Sequence, residues 1–432
     1  MVQPPPVAIT NVAVIDVERG SLRRAQTVVV RAGRIAAAGP AAAIAIPPGT
    51  TVVDGRGRFL APGLADMHVH VYTRGDLFTY VANGITTVRN MAGDTSHLAM
   101  RRDVAAGRVV GPRVVTAGPV VETPPLSHPD NAPLAAPADA RAALVRQRAA
   151  GYDFVKVYNA LARPTYDSVV AVARELGLPV AGHVPTSAGI DGALAARQAS
   201  VEHFRGYVHA LTPAGPDAGF RAWSVAWTRV DTAAIPALVA RTVAAGVWNC
   251  PTFTFTVHEL SPAADHARLL RRPELRRLSL EGLPRDRTKG YLAAFADADF
   301  AAAQRGLDGQ FRLLRALDAA GAGLLLGTDS WLAGHALAEE AALMVRAGLT
   351  PARVLRMATL DAARFLGAAD SMGTVAPGKV ADLVLLDADP LRDVAALRRV
   401  RAVVVGGRLL TRAELDRRLA ALPGPREPLT AR

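Results

Sequence analysis

The chain has 432 residues, half of them hydrophobic, which is ample for a large core and too long for one small domain. Its single cysteine, Cys250, excludes a disulfide framework and a thiolate metal cluster, and no apolar run reaches the roughly eighteen residues of a membrane span. The net charge of +12 does not imply nucleic acid as a partner, because the basic residues are dispersed and no nucleic-acid motif accompanies them.

The N-terminal Met-Val-Gln-Pro-Pro-Pro lacks the charged and apolar regions of a signal peptide and reads as a linker. The chain therefore reads as soluble and cytoplasmic, or as the mature form of an exported protein if a leader has been trimmed. The next fifty or so residues are short Val/Ile-rich runs broken by Gly, Pro and charged turns: AITNVAVIDV, QTVVVRAGRIAAAG and TTVVDGRGRFL. The C-terminal stretches GTVAPGKVADLVLLDADP and VRAVVVGGRLL repeat that texture. Residues 7–60 and 373–411 are therefore expected to build one small β-sandwich from both termini.

Between them, residues 61–372 alternate apolar runs with amphipathic helical stretches, the pattern of a parallel sheet. Eight candidate strands appear in order: GLADMHVH (63–70), TTVRNM (86–91), RVVTAG (113–118), FVKVY (154–158), PVAGHV (179–184), SVEHF (200–204), VWNCPTF (247–253) and GLLLGTD (323–329). Eight such units imply an α/β fold of the (β/α)8 TIM-barrel type. The stretch 255–320 is too long for an ordinary connection and reads as a helical, Arg-rich insertion at the C-terminal mouth of the barrel. Its densest basic group, at 268–287, has helical spacing mixed with acids and reads as a solvated face.

His68 and His70 stand two apart on a strand, so both imidazoles point to one side and can reach one ion. His183 and His203 fall near the ends of two further strands, at the barrel edge where active sites sit. Asp329 ends the last strand after a buried apolar run, where a carboxylate needs a cation as partner. Lys156 lies between valines in FVKVY. Only three of the fifty basic residues are lysine (Lys156, Lys289 and Lys379), so a lysine inside this strand argues for a primary amine. Desolvation lowers a lysine's pKa, and the neutral amine can add carbon dioxide to form a carbamate able to bridge two metals. Six such ligands exceed the needs of one tetrahedral ion, so two divalent metals, zinc by expectation, are implied. Tyr158, Arg205, Tyr207 and His335 follow these strands and are expected to face the cleft. Arg205 suits a substrate carboxylate, with a surface salt bridge as the equal alternative.

These residues, in this order, resemble the amidohydrolase superfamily, in particular its imidazolonepropionase-like and prolidase-like branch. The resemblance rests on APGLADMHVH, ANGITTVRN, DFVKVY, VAGHVP, SVEHF and LLLGTDS, followed by LTPARVLRMATLDAARFLG and the return into the terminal strands. It implies that His68, His70 and Asp329 hold the more buried metal and His183 and His203 the more exposed one. Carboxylated Lys156 would bridge the two, and Asp329 would carry a proton from the shared water to the leaving group. Asn90 departs from relatives that often carry Asp there, and His335 matches a loop histidine only loosely.

The implied activity is hydrolysis of an amide bond in a small molecule such as a dipeptide, an N-acyl amino acid or an aryl amide. Opening of a cyclic amide or lactone by the same site is the alternative, and an inactive barrel acting as a binding protein is the reading of another class. No nucleic-acid or membrane partner is expected, and a homo-oligomer is compatible with the sequence. No G-x-S-x-G elbow or P-loop appears, so serine hydrolysis and nucleotide triphosphate chemistry have no support.

Overall fold

A computed structural model describes residues 4–213, 219–278, 287–288 and 290–423. The Val/Ile-rich runs near the N-terminus form strands Val7–Asp16, Ser21–Arg31 and Arg34–Pro40, paired antiparallel in that order. Val7–Asp16 also takes Thr51–Asp54 and Phe59–Pro62 as parallel partners. Phe59–Pro62 then receives Leu383–Leu386 from the far end of the chain, followed by Val400–Val405 and Arg408–Thr411, all antiparallel. The two termini thus meet, but the strands are hydrogen-bonded as one eight-stranded sheet and not as two stacked ones. Period-two alternation explains how one sheet serves two cores. Val7, Ile9, Val28, Val30, Leu383 and Leu385 share one apolar cluster, while Ile15, Ala61, Val384, Leu386 and Val403 join the larger core around the helices.

The middle of the chain alternates strands and helices. Seven of the eight expected strands are present: Leu64–Val69, Ile85–Asn90, Arg113–Thr116, Val155–Val157, Val180–Gly182, Ser200–Glu202 and Trp248–Cys250. The first three form one parallel sheet. The last four extend a second, which also holds the two-residue strands Val121–Glu122 and Ala132–Pro133. A bridge between Ala117 and Phe154 links the two sheets.

The eighth candidate, 323–329, is not a regular strand. Leu325 N donates to Asn249 O on one side, and Met67 N donates to Leu326 O on the other, each at 2.9 Å. Gly327 explains the irregularity. A Cβ there would lie 2.5 Å from Cys250 Sγ and 2.6 Å from His68 N, so the backbone approaches the first strand more closely than a side chain allows.

Helices close on local signals. Arg74–Ala82 begins with a Thr73/Asp76 capping box, and Asp139–Ala150 ends on left-handed Gly151. The expected insertion is shorter than read. Asp297–Ala319 is a 23-residue helix whose Leu307, Phe311, Leu314 and Leu317 enter the main core, so it is a barrel helix and not an elaboration. The extra material is the shorter helices Phe253–Glu259 and Ala263–Leu269 with the turns after them. Part of the 268–287 basic group, together with Lys289, lies outside the described residues. Among the described residues no helix is long and apolar enough to cross a membrane.

Candidate active site

Four of the sequence-predicted residues converge directly. Asp329 Oδ1 lies 3.3 Å from His70 Nε2 and 3.6 Å from His68 Nε2, and its Oδ2 lies 3.6 Å from His203 Nε2. His183 completes the group, its ring centroid 4.9 Å from that of His203. Backbone strain marks the same place. His203, Phe204, Thr252 and Asp329 all have positive φ, between 44° and 57°, at the ends of three successive segments. Non-glycine residues in this region cost on the order of 1–3 kcal/mol each, and such strain gathers at functional sites.

Each buried imidazole is locked in one tautomer by a partner that can only accept. His68 Nδ1 is 2.8 Å from Glu202 Oε2. Glu202 is held ionised: burial opposes this, but Arg89 and His68 outweigh it. His183 Nδ1 is 2.7 Å from Asn159 Oδ1, which also accepts from Arg205 Nε at 2.9 Å, fixing the amide with its oxygen inward. His203 Nδ1 is 2.5 Å from Thr252 Oγ1, whose own proton goes to Pro251 O. In all three rings the proton sits on Nδ1 and the lone pair on Nε2. Burial is the main cause that drives the pKa of His68 down to about 4 and those of His183 and His203 well below the usual range. Neutral imidazoles whose far nitrogen donates to a fixed acceptor are the form in which histidine binds metals.

The donor set passes a further test. His68 Nε2 is buried without a hydrogen-bond partner, and one ligand atom each from His68, His203 and Asp329 lies within 4.8 Å of the others. A second trio, His68, Glu202 and Cys250, is equally compact. It is already satisfied: Arg89 Nη2 donates to both Glu202 oxygens at 2.9 and 3.0 Å, Ser200 Oγ donates to Oε1, and burial pushes the Cys250 thiol up.

Lys156 is 2% exposed. Burial lowers its pKa to about 8; Glu202 and Asp329 pull it back up, and Arg89 pushes it down. Gly182, at φ +129°, makes the room, since a Cβ there would sit 2.7 Å from the lysine Cδ. Asp329 carries the opposite shift. Burial raises its pKa, but His68, the hydrogen bond from His70, and His203 overcome that and hold it well below the usual carboxylate range.

The expected substrate residues divide. Tyr158 stacks on His183 at 4.3 Å, and burial raises its pKa to about 12. Arg205 is buried, donates to Asn159 and packs its guanidinium 4.5 Å from the Trp223 ring centroid. No carboxylate of the described residues pairs with it, so the surface salt-bridge reading fails. Tyr207 does not face the cleft: it is fully buried against Phe204, with its hydroxyl 3.1 Å from Thr242 Oγ1. His335 is near enough to Glu274 of the insertion to act on it: burial opposes ionisation of that carboxyl, but its backbone hydrogen bond, Arg272 and, to a lesser extent, His335 hold its pKa low.

Several supporting residues escaped the sequence reading. Arg89, buried in the second strand, donates to Met67 O, Ser200 Oγ and Glu202. Asp66 accepts from Thr328 N and Oγ1 and ties the eighth segment to the first strand. Asn90, the departure noted above, accepts from Val71 N at 2.9 Å and donates to Thr116 Oγ1. Its role is to hold the backbone after His70. Replacing Arg89 by Met strands the Glu202 charge in the interior, at an expected cost of about 3–5 kcal/mol. Urea unfolding tests this, and a loss under about 1 kcal/mol would mean that water or movement relieves the charge.

Two cavities of about 320 and 330 Å³ lie at the opposite barrel mouth, by the strand starts, and none of these histidines lines them. The mouth with the histidines is the one at the strand ends.

A model of the amidohydrolase family matches residues 59–410. The chain belongs to the amidohydrolase family. Members of this family have an α/β TIM-barrel fold, use divalent metals and hydrolyse C–N bonds. This amidohydrolase is similar to adenine deaminase of Rubrobacter xylanophilus, with 26% identity over 423 residues. The match covers 96% of the chain but 59% of the deaminase, so the chain spans about three fifths of that relative's length. Among solved structures it is similar to a bottromycin amidohydrolase, with a TM-score of 0.76 and 26% identity over 98% of this chain and 91% of the other. It is also similar in fold to a Xaa-Pro dipeptidase with methionine bound in its active site, with a TM-score of 0.71 and 19% identity over 94% of this chain and 100% of the other.

Proposed function

We propose that this amidohydrolase hydrolyses an amide bond in a small molecule that carries a free carboxylate, such as a dipeptide or an N-acyl amino acid. His68, His70 and Asp329 would hold one divalent metal and His183 and His203 a second, with Lys156, once carboxylated, as a ligand common to both. The observation that carries this reading is the pair of Nδ1-protonated, neutral imidazoles, His68 and His203, whose Nε2 atoms face one carboxylate, with His183 held in the same tautomer beside His203. Divalent ions bound there would lower the pKa of a water and polarise the scissile carbonyl.

The chain's own groups do the rest. Asp329, ionised and central, accepts the proton of the attacking water and returns it to the leaving nitrogen. Glu202 and Arg89 hold His68 in place, and Thr252 and Asn159 do the same for His203 and His183. Arg205, a buried cation with no acidic partner among the described residues, receives the substrate carboxylate as a planar fork. That lone cation disfavours a neutral ring substrate of the kind the adenine deaminase name denotes.

Metal analysis combined with a screen of dipeptides and N-acyl amino acids tests the reading; metal-replete protein without amidase activity would contradict it. Arg205→Met is expected to lower kcat/KM for carboxylate-bearing substrates by roughly tenfold to a hundredfold, the range of a charge-assisted hydrogen bond. The same variant should act on the corresponding carboxamides much as the unmodified enzyme does. An equal loss on acids and amides would remove Arg205 from substrate recognition.

A further inference from the structure

One buried acid near the cleft plays no part in holding the histidines. The helix Phe253–Glu259 begins directly after Thr252, the residue that orients His203. Phe255 on this helix lies against the His203 ring, at 5.7 Å between centroids. Glu259 follows four residues later, so it shares that face one turn farther from the strand ends. Its side chain is buried, and Tyr291 Oη donates to its Oε2 at 2.5 Å. Trp331, two residues past Asp329, directs its indole Nε1 toward the same carboxyl; that nitrogen is buried and makes no hydrogen bond of ordinary geometry.

The surroundings are those of a site for a cation. Tyr291 packs against Phe220, which in turn packs against Phe255. Tyr72, whose ring stacks over His70 at 6.3 Å, is close enough to Tyr291 to act on it electrostatically, as is Asp329. A carboxyl group bordered by aromatic rings is suited to an ammonium ion, through charge and through the negative ring faces. No cation of the described residues pairs with Glu259. Burial, with a contribution from Asp329, pushes its pKa up to about 8, the behaviour of a carboxyl that lacks its counter-ion. Arg205 and Glu259 stand at the two ends of one aromatic row: the Arg205 guanidinium packs on Trp223, Trp223 stacks on Phe220, and Phe220 packs against Tyr291, which donates to Glu259.

We propose that Glu259, with Tyr291 and Trp331, recognises a protonated amine on the acyl side of the scissile bond, so that the substrate carries an ammonium at one end and a carboxylate at the other. In its simplest form that substrate is a dipeptide with a free amino end, not an N-acyl amino acid. The inference rests on the amide-hydrolase reading above and narrows it.

The test compares kcat/KM for a panel of free dipeptides with that for their N-acetyl counterparts, using metal-replete full-length enzyme and its Glu259→Gln variant. The free dipeptides are expected to be favoured by about tenfold or more, and Glu259→Gln should shrink that ratio toward one. The glutamine keeps size and hydrogen bonding, and the comparison within the unmodified enzyme does not depend on how the variant folds. Equal or better hydrolysis of the N-acetyl compounds by the unmodified enzyme would overturn the proposal and leave amide hydrolysis standing. So would an unchanged ratio in the variant, which would reduce Glu259 to a clasp holding Tyr291. Hydrolysis of neither series would overturn the amide-hydrolase reading and this proposal with it.

Discussion

Asp329→Asn is expected to leave a folded protein that has lost activity by roughly a hundredfold or more, the scale of general acid–base catalysis. The carboxylate stands between His68, His70 and His203, with its two oxygens 3.3–3.6 Å from their Nε2 atoms. An amide in that position retains an oxygen that can face a metal, but it cannot accept a proton from water and pass it on. The fold should tolerate the change for a specific reason. Asp329 has φ +44°, and asparagine is the side chain besides aspartate that most readily adopts the left-handed region. Thermal unfolding should therefore stay close to that of the unmodified enzyme while kcat collapses. Turnover near the original level in the metal-loaded variant would remove Asp329 from proton transfer.

Lys156→Ala and Lys156→Arg are both expected to lose at least about a hundredfold in activity, together with part of the bound metal, as loss of a ligand exceeds the 10- to 100-fold cost of losing a supporting partner. The alanine variant lacks the bridge. The arginine variant keeps the charge that a simple structural cation would supply, but guanidinium stays protonated and forms no carbamate. It would also place a fixed positive charge beside the ions. The pocket is cut to the lysine at Gly182, where a Cβ would lie 2.7 Å from the Lys156 Cδ and 3.0 Å from its Cε. Short carboxylic acids added to Lys156→Ala are expected to restore part of the metal content and turnover by occupying the vacated volume. Near-normal activity in Lys156→Arg would show that the residue serves as a cation and not as a bridge.

Much of the site was legible because its chemistry conflicts with its surroundings. A lysine between valines, an aspartate after an apolar run and histidines at strand ends are each costly unless they have a use. The same argument applied to Arg89, a cation inside TTVRN, and to Glu202 beside His203, and it would have paired them across the barrel. Neither stands in the metal-binding pattern, because these two act on His68 from behind. Tyr207 is kept from the cleft for a geometric reason. Phe204 and Gly206 have positive φ, and the chain after the sixth strand turns back into the core before reaching the cleft. The eighth segment has the apolar residues of a strand, but Gly327 and the left-handed Asp329 interrupt the ladder, a backbone property that hydrophobic patterning does not encode. The boundary of the insertion failed similarly: the amphipathic face of Asp297–Ala319 is that of any barrel helix, and only packing distinguishes it from an addition.

The most direct test of the account is a crystal structure of the enzyme grown with zinc, with anomalous scattering recorded at the zinc edge. The account predicts two peaks about 3.5–4 Å apart, flanked by the Nε2 atoms of His68, His70, His183 and His203. Branched density should extend beyond the Lys156 amine and touch both. A single peak, or an unmodified Lys156 amine turned away from the ions, would contradict it.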